Sequence, residues 1–340
     1  MASPGFFRPS MLRQNFPGAP TFTEKNIRDL TGKVFLITGA NSGIGKELAQ
    51  LLYAANATVY MACRTETKAR AAMHDIESAV LSSKGHLEFL PLDLGDLRSV
   101  KPAVEAFTAK EDKLHVLFNN AGVMFPSADK KTAQGYDLEL GTNCLGHFLL
   151  AHLLTPTLIT TAQAEPAGTV RVVWVSSMAA ELYSVRQGID MGNLSDKGYV
   201  KEPSMPEKYG NSKAGNYLHG VEYARRYKQD GIVSVAINPG NLNSDLYRTV
   251  NDQKGFEGFG LQTFTKFMLH PTINGAYTQL FAGLSDEVSM DRTGTWIGPW
   301  GRFFDIRKDI RVAAVPESEG GKGVAAKFWD WSMQQVGKYA

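Results

Sequence analysis

Short uninterrupted apolar runs alternate along this chain with longer stretches of helical periodicity. The first run, Val34-Phe35-Leu36-Ile37-Thr38, ends on glycines, and a run of that length suits a strand buried on both faces of a parallel sheet. Further runs occupy residues 58–62, 87–90, 115–118, 170–175 and 233–237, and a late one at 294–298 adds a final strand. Parallel strands need right-handed crossovers, with helices on both faces. The pattern therefore predicts an α/β chain built as a single doubly wound parallel sheet of the Rossmann type. The sheet domain is expected over residues 31–340, after an N-terminal arm of residues 1–30. Pro4, Pro9, Pro17 and Pro20 punctuate that arm, which is expected to lie along the domain surface.

Two segments exceed what this frame requires. One lies between Ser177 and Tyr209. The other, residues 245–271, is rich in aromatic and apolar side chains such as Phe256, Phe259, Phe264 and Phe267. Long insertions in compact domains often cover a ligand, and Gly255, Gly258 and Gly260 break any regular helix there, so it is read as a substrate lid.

Composition narrows the class. The 340 residues are 43% hydrophobic and 21% charged, enough apolar material for a large core. Lys and Arg number 36 against 34 Asp and Glu, and the basic residues are scattered, which argues against nucleic acid as a partner. Cys63 and Cys144 have no neighbouring cysteine with which to build a disulfide framework, so a reducing compartment is expected. His147 and His152 miss the spacing of a shared metal, and no metal is expected. Residues 1–30 hold neither a membrane-length apolar run nor a signal-peptide core. These features predict a cytoplasmic protein without a membrane span.

Candidate chemistry starts with Thr38-Gly39-Ala40-Asn41-Ser42-Gly43-Ile44-Gly45, which follows a predicted strand and opens a predicted helix. In that context Gly39 makes the tight turn, Gly43 lets the backbone approach a pyrophosphate, and Gly45 allows close packing. The helix N-terminus, with Asn41, Ser42 and Ile44 beside it, offers N–H groups and partial positive charge to the phosphates. At the end of the second strand, where an NAD site would place a carboxylate, stands Arg64, which favours the 2′-phosphate of NADP(H). Glu66 lies close by, and Lys68 could reinforce the site. Farther along, Tyr209 and Lys213 occupy i and i+4, so on a helix a phenol and an ammonium share one face. A phenol with a pKa near ~10 is a sluggish acid at neutral pH, and an adjacent ammonium favours its ionisation.

These motifs, with Asn119-Asn120-Ala121-Gly122, Asn143, Ser176-Ser177 and Pro239-Gly240 in the same order, resemble the short-chain dehydrogenase/reductase family. Within it the chain is most similar to the retinol dehydrogenase and WW-domain oxidoreductase branch. Residues 171–180, 190–194, 212–216 and 298–301 carry that likeness, without the anchor or the WW domains of those members. The resemblance implies a catalytic tetrad of Asn143, Ser177, Tyr209 and Lys213. Tyr209 would be the general acid, Lys213 would also bind the nicotinamide ribose, Ser177 would bind the substrate oxygen, and the Asn143 backbone would hold a water. It further implies that Asp93 and Leu94 border the adenine and that Asn120, Ala121 and Gly122 line the middle of the cofactor. Pro239, Gly240, Leu242 and Ser244 would meet the nicotinamide.

The expected activity is reversible, NADP(H)-dependent reduction of a small hydrophobic ketone or aldehyde to an alcohol. A non-catalytic NADP(H)-binding redox sensor and an epimerase-type relative are the alternatives. The intact tetrad argues against the first, and the glycine spacing against the second. Family members often dimerise through the helices that would hold Asn143 and Tyr209, so a homodimer is an open expectation.

Overall fold

A computed structural model describes residues 9–127, 129–243 and 269–340. An eight-stranded sheet runs through it in the order β10-β9-β8-β5-β4-β1-β2-β3. Its members are β1 (Val34–Thr38), β2 (Thr58–Cys63), β3 (His86–Pro91), β4 (Val116–Asn119), β5 (Val170–Val175), β8 (Ile232–Ile237), β9 (Trp296–Gly298) and β10 (Arg302–Phe304). Neighbours from β3 through β9 pair in parallel. Strands β1, β4, β5 and β8 are buried at every position, which is why they read as continuous apolar runs. The last strand, β10, pairs antiparallel with β9 and closes one edge. Three residues carry too little pattern to announce a strand, and the sequence reading did not include it.

The described α-helices up to β9 are α1 (Pro9–Asn15), α2 (Gly43–Ala54), α3 (Glu66–Ala79), α4 (Val100–Thr108), α5 (His147–Ala164), α6 (Ala179–Leu182), α7 (Met205–Tyr227) and α8 (Thr272–Leu284). After β10 come α9 (Lys308–Ala314) and α10 (Val324–Val336). One buried cluster packs α4, α5, α7, α9 and α10 against one face of the sheet. A second packs α2, α3 and α8 against the other. Arg171 on β5 ties the second layer down: its guanidinium donates to the carbonyls of Gly168 (2.9 Å), Ala282 (3.0 Å) and Ser285 (2.9 Å), closing the C-terminus of α8.

The segment between Ser177 and Tyr209 holds α6 and a two-stranded hairpin of β6 (Leu194–Ser195) and β7 (Gly198–Tyr199), apart from the main sheet. Of the segment read as a lid, residues 245–268 lie outside the described residues, as does Ser244. Among the described residues one helical stretch, Leu140–Ala164, is long and apolar enough to cross a membrane, with a mean hydropathy of 1.3. Most of it is buried between the sheet and α7, as the core helix of a globular domain is.

Candidate active site

The described loop residues predicted to hold the cofactor lie just past the carboxyl ends of β1, β2, β3, β4 and β8, and Ser177 lies past the end of β5. That is the edge where doubly wound sheets bind ligands. The strand order reverses between β4 and β1, so the crevice opens between the glycine loop and residues 120–122.

The glycine loop is shaped by close approach. Gly39 takes φ +67, a left-handed turn that a side chain would resist. A Cβ on Gly45 would stand 2.6 Å from both Asn120 Nδ2 and the Gly39 carbonyl, so the start of α2 can press against the β4 loop only without a side chain there. Asn120 is held from three sides. Its Nδ2 donates to the Thr38 carbonyl (2.7 Å), its Oδ1 accepts from Gln279 Nε2 (2.8 Å), and its N–H donates to the Thr38 hydroxyl (2.9 Å). Asn41, Ser42, Gly43 and Ile44 remain partly exposed at the rim, and the Ser42 hydroxyl is not spent on capping α2. Leu242 and Ile44 meet over Gly275 of α8, which brings the β8 loop to the glycine loop.

Arg64 is exposed directly after β2, and among the described residues no carboxylate pairs with it. Glu66, the residue that could have opposed it, is engaged by Arg70 at 2.7 Å one turn along α3. Asp93 accepts from the Gly95 N–H at 2.9 Å and exchanges hydrogen bonds with Ser99, which fixes the turn after β3. Leu94 is buried against Gly146.

Tyr209 and Lys213 share one face of α7. Ser204 and Glu207 form a capping box at its start, and Arg225 and Arg226 suit the dipole at its end. Lys213 Nζ lies 5.8 Å from the centre of the Tyr209 ring and donates to the Val175 carbonyl at 3.0 Å, which Asn216 Nδ2 also reaches at 3.0 Å. Gly122 is directly beside it: a Cβ there would be 3.2 Å from Lys213 Nζ and 3.5 Å from Asn143 Oδ1. Burial lowers the Lys213 pKa to about 8, with the Cys144 and Glu139 charges opposing the shift.

Asn143 sits in a π-helical stretch, Leu140–Gly146, rather than in the regular α-helix expected for it. Its side chain is fully used. Nδ2 donates to the Val123 carbonyl and to Ser212 Oγ, both at 3.0 Å, while Oδ1 accepts from the Val123 N–H at 2.9 Å. Its backbone carbonyl accepts from His147 Nδ1 at 3.1 Å. Ser177 Oγ accepts from the Ala179 N–H at 3.2 Å, at the start of α6, and Ala179 packs with Met124 and Tyr209 in a small apolar cluster. The ring of Phe125 meets Tyr209 edge-on at 5.5 Å. The structure thus brings Asn143, Tyr209 and Lys213 together around Gly122, with Ser177 one short turn away through Ala179.

Two groups at this site were missed in the sequence. Glu139, one turn before Asn143, is buried and accepts from the Phe125 N–H at 2.7 Å. A carboxylate between Leu138 and Leu140 was its only signal. Gln14 reaches the β8 loop from α1, and nothing local in the arm announces that contact.

A family model described as short chain dehydrogenase matches residues 33–189. A short-chain dehydrogenase/reductase of Phomopsis amygdali is 53% identical over 330 residues, covering 96% of each chain. The chain belongs to the short-chain dehydrogenase/reductase family. Two solved structures agree with its architecture. The Pseudomonas aeruginosa RhlG/NADP active-site complex aligns with a TM-score of 0.61 and 22% identity over 82% of this chain and 97% of that one. A Brucella melitensis 3-ketoacyl-(acyl-carrier-protein) reductase complexed with NADH aligns at 0.57 and 22%, over 78% and 96%. Membership of the family makes this an oxidoreductase that uses a nicotinamide cofactor.

Proposed function

We propose that this oxidoreductase uses NADP(H) to reduce a hydrophobic ketone or aldehyde in the cytoplasm, with Tyr209 as general acid. The observation that carries the reading is the placement of Lys213 Nζ beneath the Tyr209 ring and against Gly122, at the carboxyl edge of the sheet.

The residues present fit such a cofactor. The left-handed turn at Gly39 leads into free N–H groups at the start of α2, which suit a pyrophosphate. The exposed Arg64 guanidinium, with Glu66 drawn away by Arg70, suits a 2′-phosphate. When bound, the reduced nicotinamide supplies the hydride that reaches the carbonyl carbon.

The chain supplies the rest. Tyr209 gives its phenolic proton to the oxygen as that oxygen gains charge, and the ammonium of Lys213 stabilises the phenolate left behind. Ser177 Oγ holds the substrate oxygen at the start of α6. The Asn143 carbonyl, which accepts from His147 Nδ1, would hold a water that returns the proton. Met124, Phe125 and Ala179 give the surroundings of Tyr209 an apolar character, which favours a hydrophobic carbonyl and excludes water from the proton transfer.

The test is a panel of ketones and aldehydes assayed by nicotinamide absorbance with NADPH and with NADH. Turnover of apolar carbonyls with NADPH preferred is expected. Equal use of both nucleotides would overturn the cofactor assignment, and binding of NADPH without turnover of any carbonyl or alcohol would favour a redox sensor.

A further inference from the structure

The arm before the sheet was expected to lie along the surface, yet three residues of α1 are buried: Met11 at 2%, Gln14 at 1% and Asn15 at 3% exposure. What they touch is the rim of the active site. Gln14 Nε2 donates to Glu181 Oε1 on α6 at 2.9 Å, and Gln14 Oε1 accepts from Asn238 Nδ2 at 2.9 Å, just past the end of β8. Asn238 Oδ1 in turn accepts from the Gly240 N–H at 3.1 Å. Asn15 adds a parallel link, accepting from Asn241 Nδ2 at 3.0 Å while its own Nδ2 donates to the Met11 carbonyl at 2.9 Å. Arg302 on β10 holds the following stretch through the Ala19 carbonyl at 3.0 Å.

The polarity of this chain of bonds is determined end to end. The Gly240 N–H can only donate, so Asn238 must present Oδ1 to it and Nδ2 to Gln14. The Gln14 amide must then turn its oxygen toward Asn238 and its nitrogen toward the Glu181 carboxyl, which accepts. Gln14, Asn238 and Glu181 are buried, so removing the amide between them would leave the Asn238 Nδ2 donor without its acceptor.

We propose that Gln14 is a positioning residue that makes the N-terminal arm part of the active site, by fixing the distance between the Pro239-Gly240 loop and α6. The inference rests on the reading of the previous section, in which the first element meets the nicotinamide and the second follows Ser177. Gly240 is a sensitive point for such a brace. It takes φ +93, and a Cβ there would lie 2.8 Å from the Trp300 ring, so the loop has one tight path and the Asn238 bond selects it. The arm therefore determines where the nicotinamide edge stands relative to the hydroxyls of Ser177 and Tyr209.

The experiment uses the full-length protein and three variants: Gln14→Met, Gln14→Glu, and Gln14→Glu combined with Glu181→Gln. The methionine keeps the bulk of the side chain and removes both bonds. The single glutamate places two carboxyls together, and the double variant restores one amide and one carboxyl in exchanged positions. In Gln14→Met, kcat with the best carbonyl of the panel should fall about tenfold or more, while the Kd for NADPH, set mainly by the glycine loop, changes less than about threefold. The double variant should recover most of what Gln14→Glu loses. Hydrogen exchange at the Gly240 amide, which needs neither substrate nor cofactor, should quicken about tenfold in Gln14→Met. Turnover within about twofold of the parent and unchanged exchange at Gly240 would overturn the inference. So would a loss of activity matched by the fraction of unfolded protein. A parent protein that turns over no carbonyl would overturn the functional reading alone, and the exchange measurement would still decide the role of Gln14.

Discussion

The Thr38 hydroxyl at the end of β1 and His147 Nε2 at the start of α5 lie 2.8 Å apart, deep in the core. Because His147 Nδ1 faces the Asn143 carbonyl, that nitrogen carries the proton and Nε2 accepts from Thr38. The Thr38 oxygen then receives the N–H groups of Asn120 and Ala121, each at 2.9 Å. Burial lowers the His147 pKa to about 3, so the ring stays neutral and the polarity of the chain holds across the working pH range. One string of hydrogen bonds thus joins the floor of the glycine loop to the Asn143 carbonyl. Thr38→Val keeps the shape and orphans the Ala121 N–H and one imidazole nitrogen, while the Asn120 N–H keeps the Phe118 carbonyl at 2.9 Å. It should destabilise the protein by about 1–3 kcal/mol in urea titrations and weaken NADPH binding with it. Stability equal to the parent's would show that the Ala121 N–H and the imidazole nitrogen find other partners.

The proposed proton donor is tested at Tyr209. Tyr209→Phe keeps the edge-on packing with Phe125 and removes the hydroxyl, so turnover should fall by a factor of ~10² or more while NADPH still binds. Lys213→Ala removes the ammonium beneath the ring and the bond to Val175, and should lose both turnover and cofactor affinity. Near-parent turnover in the phenylalanine variant would sink the mechanism. A loss confined to affinity in the alanine variant would remove the lysine's influence on the phenol.

On the proposed reading, cofactor choice turns on Arg64. Arg64→Asp exchanges a donor fork for a carboxylate at the end of β2, and should move preference from NADPH toward NADH when kcat/KM is measured for both. Since Glu66 is already held by Arg70, Glu66→Gln should leave the preference nearly unchanged. An effect of Glu66→Gln as large as that of Arg64→Asp would place the discriminating charge on the wrong residue.

How far the sequence could be read follows from the range of each interaction. Strands β1, β4, β5 and β8 are buried on both faces, so burial alone wrote them into the chain as apolar runs. Tyr209 and Lys213 were legible because helix geometry places i and i+4 together whatever surrounds them. The antiparallel β10 was not, since Arg302, Phe303 and Phe304 gain strand geometry only from pairing with β9. Gln14 was not legible either: its partners Glu181 and Asn238 lie far along the chain, and no local period encodes such a meeting. The π-helical stretch around Asn143 likewise reflects packing against Val123 and Ser212 more than any preference of its own residues.

Glu139 gives the protein a pH dependence that can be read without substrate. Burial raises its pKa from 4.5 to about 7; the Phe125 N–H opposes that shift, Asp137 reinforces it, and Lys208 and Lys213 oppose it. The folded state therefore keeps a proton on Glu139 between pH 4.5 and about 7 that the unfolded chain has lost. Stability from this group is complete below the lower value and is lost as the pH rises through the upper one. Lys213, lowered to about 8 by burial, acts in a separate window above Glu139's, between about 8 and its ordinary 10.5, where stability rises with pH. Glu139→Gln keeps an oxygen for the Phe125 N–H and removes the titration. Urea denaturation at pH 5 and pH 7.5 should show the parent losing stability relative to this variant as the pH rises. A difference between the two proteins that does not change with pH would mean that the buried carboxyl ionises in the folded state as readily as in the unfolded chain.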